Sequence, residues 1–252
     1  MQMNQPKRAA ILFVHGILGT PCHFAPFLPY VPASWSVCNL LLEGHGGSVR
    51  DFSHAAMAQW KQQVHAALDA LLTEHDRVLI TAHSMGTLFA IQEALQRPVT
   101  ELFLLNPPLN VRVTARLFKT VWTVFRGKAA PQDAWMLAAQ NAYSIEKDRH
   151  VLRYIGWIPR YLELFAEIRK TRRVVRNLTV PSHIYLSLHD ELVSPRSRSF
   201  FDGSSLAKVT MLNTSGHFYT SPEDQALLIE DFRAMVARTE REMQTAVPRD
   251  EQ

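Results

Sequence analysis

Six near-continuous apolar runs constrain this chain more than any other feature. They are AAILFV (9–14), WSVCNLLL (35–42), RVLITA (77–82), ELFLLN (101–106), SHIYLSL (182–188) and KVTMLN (208–213). A strand wet on one face alternates apolar and polar residues, whereas these runs hardly alternate, as expected of strands covered on both faces. Helical spacing fills several of the gaps. Met57, Trp60, Val64, Leu68 and Leu71 recur within 54–72, with Asp51 or Ser53 as candidate caps. Residues 85–96 form an apolar helix stopped by Pro98, and Ser221-Pro222-Glu223-Asp224 opens a last helix whose charged continuation after Thr239 reads as frayed. Strand–helix alternation of this kind predicts an α/β fold: a mainly parallel sheet of about six strands flanked by helices.

Residues 107–177 break the alternation. They follow Asn106-Pro107-Pro108, hold no convincing strand for the sheet, and are rich in Trp, Phe, Tyr and Arg. The expected organisation is a core of 1–106 and 178–252 with a helical cap over 107–177. Leu117, Phe118, Val121, Trp122, Ile155, Trp157, Ile158 and Leu164 of this cap suggest an apolar pocket for a short to medium acyl chain. The cap carries 14 Lys and Arg against 5 Asp and Glu, although the whole chain of 252 residues is only +4, so the basic character belongs to this segment. Basic residues among Trp122, Phe125, Trp157, Tyr161 and Phe165 would suit weak contact with an anionic lipid or an acidic substrate. The charge is too modest to point to nucleic acid. No apolar run approaches the roughly 18 residues of a membrane span. No signal-peptide cleavage pattern follows the basic start, and Cys22 and Cys38 read as reduced thiols, so a cytoplasmic location is expected.

The chemistry concentrates at Ala82-His83-Ser84-Met85-Gly86, between the third strand and its helix. This is the G-x-S-x-G pattern of a nucleophile elbow, with Ala in the first place. The elbow projects the serine hydroxyl from a tight turn, and strand and helix approach so closely that only small residues fit two before and two after. A serine needs a base and the base an orienting acid. His217 follows the sixth strand, and Asp190 and Glu191 follow the fifth, at the strand edge where Ser84 also sits. His15-Gly16-Ile17-Leu18-Gly19 follows the first strand. There the Ile17 N–H, with that of Met85 at the helix start, can receive an oxyanion. His15 and His45 are expected to hold these loops, His54, His65 and His75 to be exposed on helices, and His83 and His189 to point away from the site. Ser48 and Ser215 lack the strand–helix setting. No histidine pair has metal-ligand spacing with an acid nearby, so no metal and no cofactor are expected.

HGILG, EGHGGS (43–48), AHSMG, LHDELVS and SGH, in this order, resemble the α/β-hydrolase superfamily, in particular small bacterial carboxylesterases and monoacylglycerol-lipase-like enzymes. The resemblance runs from Ile11 to about Val236 and is weakest over 107–150. It implies Ser84 as nucleophile, His217 as base, Asp190 rather than Glu191 as its partner, and an oxyanion hole at Ile17 and Met85. The implied activity is hydrolysis of a small-molecule carboxylic ester with an apolar acyl group. A thioesterase, an acyltransferase and a non-catalytic binding protein on the same fold are the alternatives. The chain departs from the pattern in Ala82 and in lacking the two antiparallel edge strands of fuller members. Oligomeric state is not legible.

Overall fold

The computed structural model describes residues 9–112, 114–126 and 129–245. Its centre is one six-stranded sheet: β1 (Ala9–Val14), β2 (Ser36–Leu40), β3 (Arg77–His83), β4 (Glu101–Leu105), β5 (Ser182–Ser187) and β6 (Ala207–Leu212). The order is β2-β1-β3-β4-β5-β6 and every pairing is parallel. The expected α/β class and strand number hold, with edges within a few residues of the apolar runs.

The central runs hardly alternate because both faces of β1, β3, β4 and β5 are covered, while the edge strands β2 and β6 are only partly buried. Ala10, Leu12 and Val14 of β1 join the core shared with helices α2 (Met57–Glu74), α3 (Met85–Ala94) and α6 (Ile158–Val174). Ala9, Ile11 and Phe13 face the opposite core, where Phe103, Tyr185 and Phe232 meet. Phe232 belongs to α7 (Pro222–Thr245), and its complete burial contributes about 2 kcal/mol by area.

The strand order reverses between β1 and β3. The chain leaves β1 for β2 on one side and returns to β3 on the other. Val14 pairs in register with Ala82, so the loops after both strands emerge side by side at the carboxyl edge. Ligand crevices in open parallel sheets form at such a switch point.

Between β4 and β5 lie α4 (Ala115–Arg126), α5 (Ala134–Ala142), a 3-10 segment (Val151–Trp157) and α6. The described residues of this stretch add no strand to the sheet, although Val111 bridges Val193. Lys128, one of its cations, lies outside the described residues.

Three local expectations need correction. The helix read over 54–72 is α2, but a separate helix, α1 (Val49–His54), precedes it, so neither Asp51 nor Ser53 caps α2. Ser48 caps α1 in a reciprocal box with Asp51, while α2 starts after Ala56 with no side-chain cap. The break is held from α6: Arg160 donates to the carbonyls of Ser53 and Ala55, and Glu163 accepts from the Met57 N–H at 3.0 Å. Secondly, α7 does not fray at Thr239. It continues to Thr245 because Glu240 accepts from the Trp35 indole and Arg238 reaches Glu101; residues 246–252 lie outside the described residues. Thirdly, His75 is buried, donating from Nδ1 to the Leu71 carbonyl at 2.9 Å and meeting Ser36 Oγ through Nε2 at 2.7 Å. His65 is half-buried, with Nδ1 3.2 Å from Glu93 Oε2 and Nε2 3.4 Å from Asp69 Oδ2, and His54 is exposed as expected.

Candidate active site

Ser84 occupies the sharp turn from β3 into α3, with φ 51° and ψ −122°. Such a backbone is strained for a residue with a Cβ. Its neighbours hold it: Ser84 N–H donates to the Leu105 carbonyl at 2.9 Å, and Thr87 Oγ1 donates to the Ser84 carbonyl at 2.6 Å. The small-residue rule follows from contact. A Cβ on Gly86 would collide with the Val14 carbonyl, and Ala82 is fully buried.

His217 and Asp190 arrive from the loops after β6 and β5. Ser84 Oγ donates to His217 Nε2 at 3.0 Å, and His217 Nδ1–H donates to Asp190 Oδ2 at 2.7 Å. All three side chains are buried. The other oxygen of Asp190 accepts from the Leu192 and Val193 amides at 2.7 and 2.6 Å. Being an acceptor on both sides, Asp190 puts the His217 proton on Nδ1 and leaves Nε2 free to take one. Burial is the largest influence on His217 and disfavours its charge. The Asp190 charge and hydrogen bond, with the Glu191 charge, outweigh it and raise the pKa above the usual 6.5.

Met85 opens α3, so no helical carbonyl can accept from its N–H. Ile17 lines a small cavity together with Ser84, His217, Ala142 and Phe218. Next to it Leu18 has φ 59°. Leu18 is clamped from two sides: its N–H donates to His45 Nε2 at 3.1 Å, and its carbonyl accepts from the Ser144 N–H at 2.9 Å. His15 braces the same loop, donating from Nδ1 to the Gly16 carbonyl at 2.8 Å and accepting from the Leu42 N–H at 3.1 Å. Both histidines hold loops, as expected. Burial lowers His15 to about 4 and His45 to about 3, so both stay neutral at pH 7 beside the charge that His217 would acquire.

His83 corrects its expectation. It does not point away: its Nε2–H donates to the His217 carbonyl at 3.1 Å, its ring stacks on His23 at 3.9 Å, and both line the cavity. His189 is exposed, as expected. Ser48 and Ser215 serve as supports, Ser48 as a helix cap and Ser215 as a donor to Asp224 at 2.7 Å.

The cavity beside Ser84 measures only about 10 Å³, space for one water. A groove of about 460 Å³ lies elsewhere, between α2 and α6, lined by Lys61, His65, Glu93, Glu163 and Glu167, and contains none of the predicted site residues. Of the apolar cap residues, Phe118, Val121, Trp122, Ile155 and Ile158 are exposed, Leu117 and Leu164 half-buried and Trp157 buried. Helical periodicity marks an apolar stripe but not the direction it faces. Among the described residues no cluster of three or more His, Cys, Asp or Glu could hold a metal, and no helix is long and apolar enough to cross a membrane.

A sequence profile of the Alpha/beta hydrolase family matches residues 11–234. The chain belongs to the α/β-hydrolase family. It is 24% identical over 226 residues to the thermostable monoacylglycerol lipase of Bacillus sp. strain H-257, covering 87% of each chain. Among solved structures it resembles one from work on the metagenome-derived lipolytic enzymes LipS and LipT, with a TM-score of 0.71 at 19% identity over 92% of this chain and 95% of that one. The monoacylglycerol lipase of Paleococcus ferrophilus superposes with a TM-score of 0.63 at 17% identity, over 92% and 96%.

Three supports of this α/β-hydrolase site escaped the sequence reading. Asn106, with φ 49°, accepts from the Ser187 N–H at 2.9 Å and donates to the Gly216 carbonyl at 3.3 Å, tying β5 to the His217 loop. Arg112 donates to the Asp190 carbonyl through Nε and Nη2 at 2.9 and 2.6 Å. Asp224 accepts from Asn213, Thr214 and Ser215 in the loop before His217. Burial alone would raise the Asp224 pKa, but these hydrogen bonds lower it. Position after a strand or at a helix start was the only available signal for Asn106 and Asp224, and Arg112 had none.

Proposed function

We propose that this chain is a serine hydrolase that cleaves carboxylic esters through an acyl-enzyme on Ser84. The observation that carries this reading is the continuous hydrogen-bonded row Ser84–His217–Asp190, in which the acid presets the tautomer of the base. Ser84 Oγ attacks the ester carbonyl carbon while its proton moves to His217 Nε2. Asp190 stays ionised and stabilises the imidazolium. The tetrahedral oxyanion accepts from the Ile17 and Met85 amides, and loss of one such donor typically costs about 10²- to 10³-fold in rate. His217 then protonates the departing alcohol and the C–O bond breaks. In the second half His217 takes a proton from water, the hydroxide adds to the acyl carbon, and Ser84 leaves with its proton restored. No cofactor enters this sequence of steps.

The lipase relatives support an apolar acyl group, of short to medium length or monoacylglycerol-like. The cavity at Ser84 is too small for an ester, so we read residues 107–177 as a cap whose α5, through Ala142, moves to admit one. The test is hydrolysis of p-nitrophenyl esters across acyl lengths by the wild type and Ser84→Ala. Expected is turnover of short or medium esters by the wild type and a loss of at least about 10⁴-fold in kcat for the variant. Inertness toward every ester but turnover of acyl thioesters would transfer the same row to a thioesterase. Inertness toward both would leave a binding protein.

A further inference from the structure

His217 is held by its main chain as well as by its ring. Three consecutive main-chain groups around it are tied to three different strand ends. The Gly216 carbonyl accepts from Asn106 at 3.3 Å, the His217 N–H donates to Glu191 at 3.1 Å, and the His217 carbonyl accepts from His83 Nε2–H at 3.1 Å. The third tie differs in its origin. Asn106 follows β4 and Glu191 follows β5, whereas His83 ends β3 and is the chain neighbour of Ser84. Adjacent side chains of a strand point to opposite faces. The sharp turn at Ser84, with φ 51°, lets both meet the same histidine.

These contacts close a ring. From Ser84 Oγ it runs to His217 Nε2, through the imidazole to the His217 carbonyl, across to His83 Nε2, and back along the chain to Ser84. Its only non-covalent links are two hydrogen bonds, so the 3.0 Å between Ser84 and His217 is set by two residues that share one peptide bond. The His83 ring is itself confined. A carbonyl faces its Nε2, so the proton sits there, while Nδ1 abuts Gly16, where an added Cβ would lie 3.3 Å away. Its face stacks on the His23 ring at 3.9 Å, and the His217 ring lies 4.9 Å from it. Burial, the largest influence on both, holds His83 and His23 below the usual 6.5, so neither competes with His217 for the Ser84 proton.

We propose that His83 is a positioning residue: its hydrogen bond to the His217 carbonyl, with its ring backed by His23, sets the approach of His217 Nε2 to Ser84. The inference rests on the serine-hydrolase reading and deepens it by adding a residue that acts through the base. Without this bond the ring of contacts opens. The His217 carbonyl then loses its tie to β3, and only Asn106 and Glu191 hold the main chain beside it. Misplacing a reacting group by about 1 Å can cost on the order of 10²-fold in rate. The bond acts on the proton-transfer step, so its loss falls on kcat and not on KM.

The experiment compares His83→Phe, which keeps a ring against His23 but has no donor, with His83→Gln, whose side-chain amide restores an N–H. Turnover of the preferred p-nitrophenyl ester gives kcat and KM. The rate at which a fluorophosphonate labels Ser84, with Oγ bonding phosphorus and fluoride leaving, reads activation of the serine without a chosen ester. The downfield NMR signal of the His217 Nδ1–H reads the order of the base without any reaction. Expected for His83→Phe is a drop of about 10²-fold in kcat and labelling rate, with KM within about twofold, and a His217 signal broadened by exchange with water. His83→Gln should regain about tenfold of that loss and sharpen the signal. His23→Ala, which frees one face of the His83 ring, should give the His83→Phe pattern at smaller amplitude. Urea unfolding checks each variant, and His83→Leu replaces His83→Phe under the same criteria if the latter does not fold. Wild-type kcat with an unchanged His217 signal in the donorless variant would overturn the proposal. So would a loss that His83→Gln shares in full, which would make His83 a packing residue. A wild type that neither turns over esters nor labels would sink the hydrolase reading, and the NMR comparison alone would then decide the proposal.

Discussion

At the residue scale, two carboxylates grip one histidine at different atoms. Asp190 holds the His217 ring through Nδ1, while Glu191 Oε2 accepts from the His217 main-chain N–H at 3.1 Å. Glu191 is buried, and among the described residues no cation pairs with it. Its charge therefore acts on His217 and raises its pKa, and in the proposed mechanism His217 must be neutral to accept the Ser84 proton. Activity should then rise with pH through a limb centred above the ordinary 6.5 and level off on the alkaline side. Glu191→Gln keeps an oxygen for the His217 amide but removes the charge, so the limb should move to lower pH with little change in the plateau. A pH profile of kcat/KM distinguishes this from a purely structural role, which would lower the plateau and leave the midpoint in place. Sequence position alone made Asp190 and Glu191 rivals, since adjacent acids after one strand read alike. The fold separates them by aiming one carboxylate at the imidazole and the other at the backbone.

At the scale of elements, the Arg160–Glu163 pair on α6 does the work of two missing caps. The carbonyl end of α1 and the amide end of α2 meet there, and one i,i+3 ion pair satisfies both. Arg160→Met preserves the aliphatic stem but strands the Ser53 and Ala55 carbonyls and leaves Glu163 without its partner. We expect an unfolding free energy about 2 to 3 kcal/mol lower, read as a reduced urea midpoint at unchanged slope. An unchanged midpoint would mean that water replaces the guanidinium at no cost. The spacing of Met57, Trp60, Val64 and Leu68 announced α2 correctly, but no local signal announced where α1 stops. The stop is imposed by a residue more than a hundred positions away.

At the scale of the whole molecule, buried neutral histidines link folding to pH. His15 and His45 titrate near 4 and 3 when folded and near 6.5 when unfolded. Between those limits the unfolded chain binds more protons, so stability falls as pH drops below about 6.5 and falls furthest near pH 3 to 4. His217 acts in the opposite sense, since its raised pKa favours the folded state as it charges. His23, lowered to about 3, and His83, lowered by its burial, act in the same sense as His15 and His45, so four lowered histidines against one raised give a net loss in acid. Urea midpoints should be lower at pH 5 than at pH 7.5, and midpoints independent of pH over that range would contradict the burial of these rings. The His15 and His45 rings hold the loop that carries Ile17, so acid should loosen the Ile17 side of the cavity before it reaches β3.

What the sequence by itself determined was whatever depends on local chemistry. Near-continuous apolar runs dictate strands buried on both faces, and their alternation with helices dictates a parallel sheet. Small residues around Ser84 dictate a tight elbow, and the reactive side chains at strand ends announce which residues meet. The tertiary structure alone decided the rest. The order β2-β1-β3 brings Ile17 next to Ser84, because parallel neighbours in register deliver their loops to the same edge. Asn106, Arg112 and Asp224 became supports only when loops distant in the chain converged, since a hydrogen bond between such loops leaves no mark in either one. The outward direction of the α4 aromatics was likewise beyond the sequence. An amphipathic pattern specifies that a helix has two faces, and only packing against the rest of the molecule specifies which one is left to the solvent.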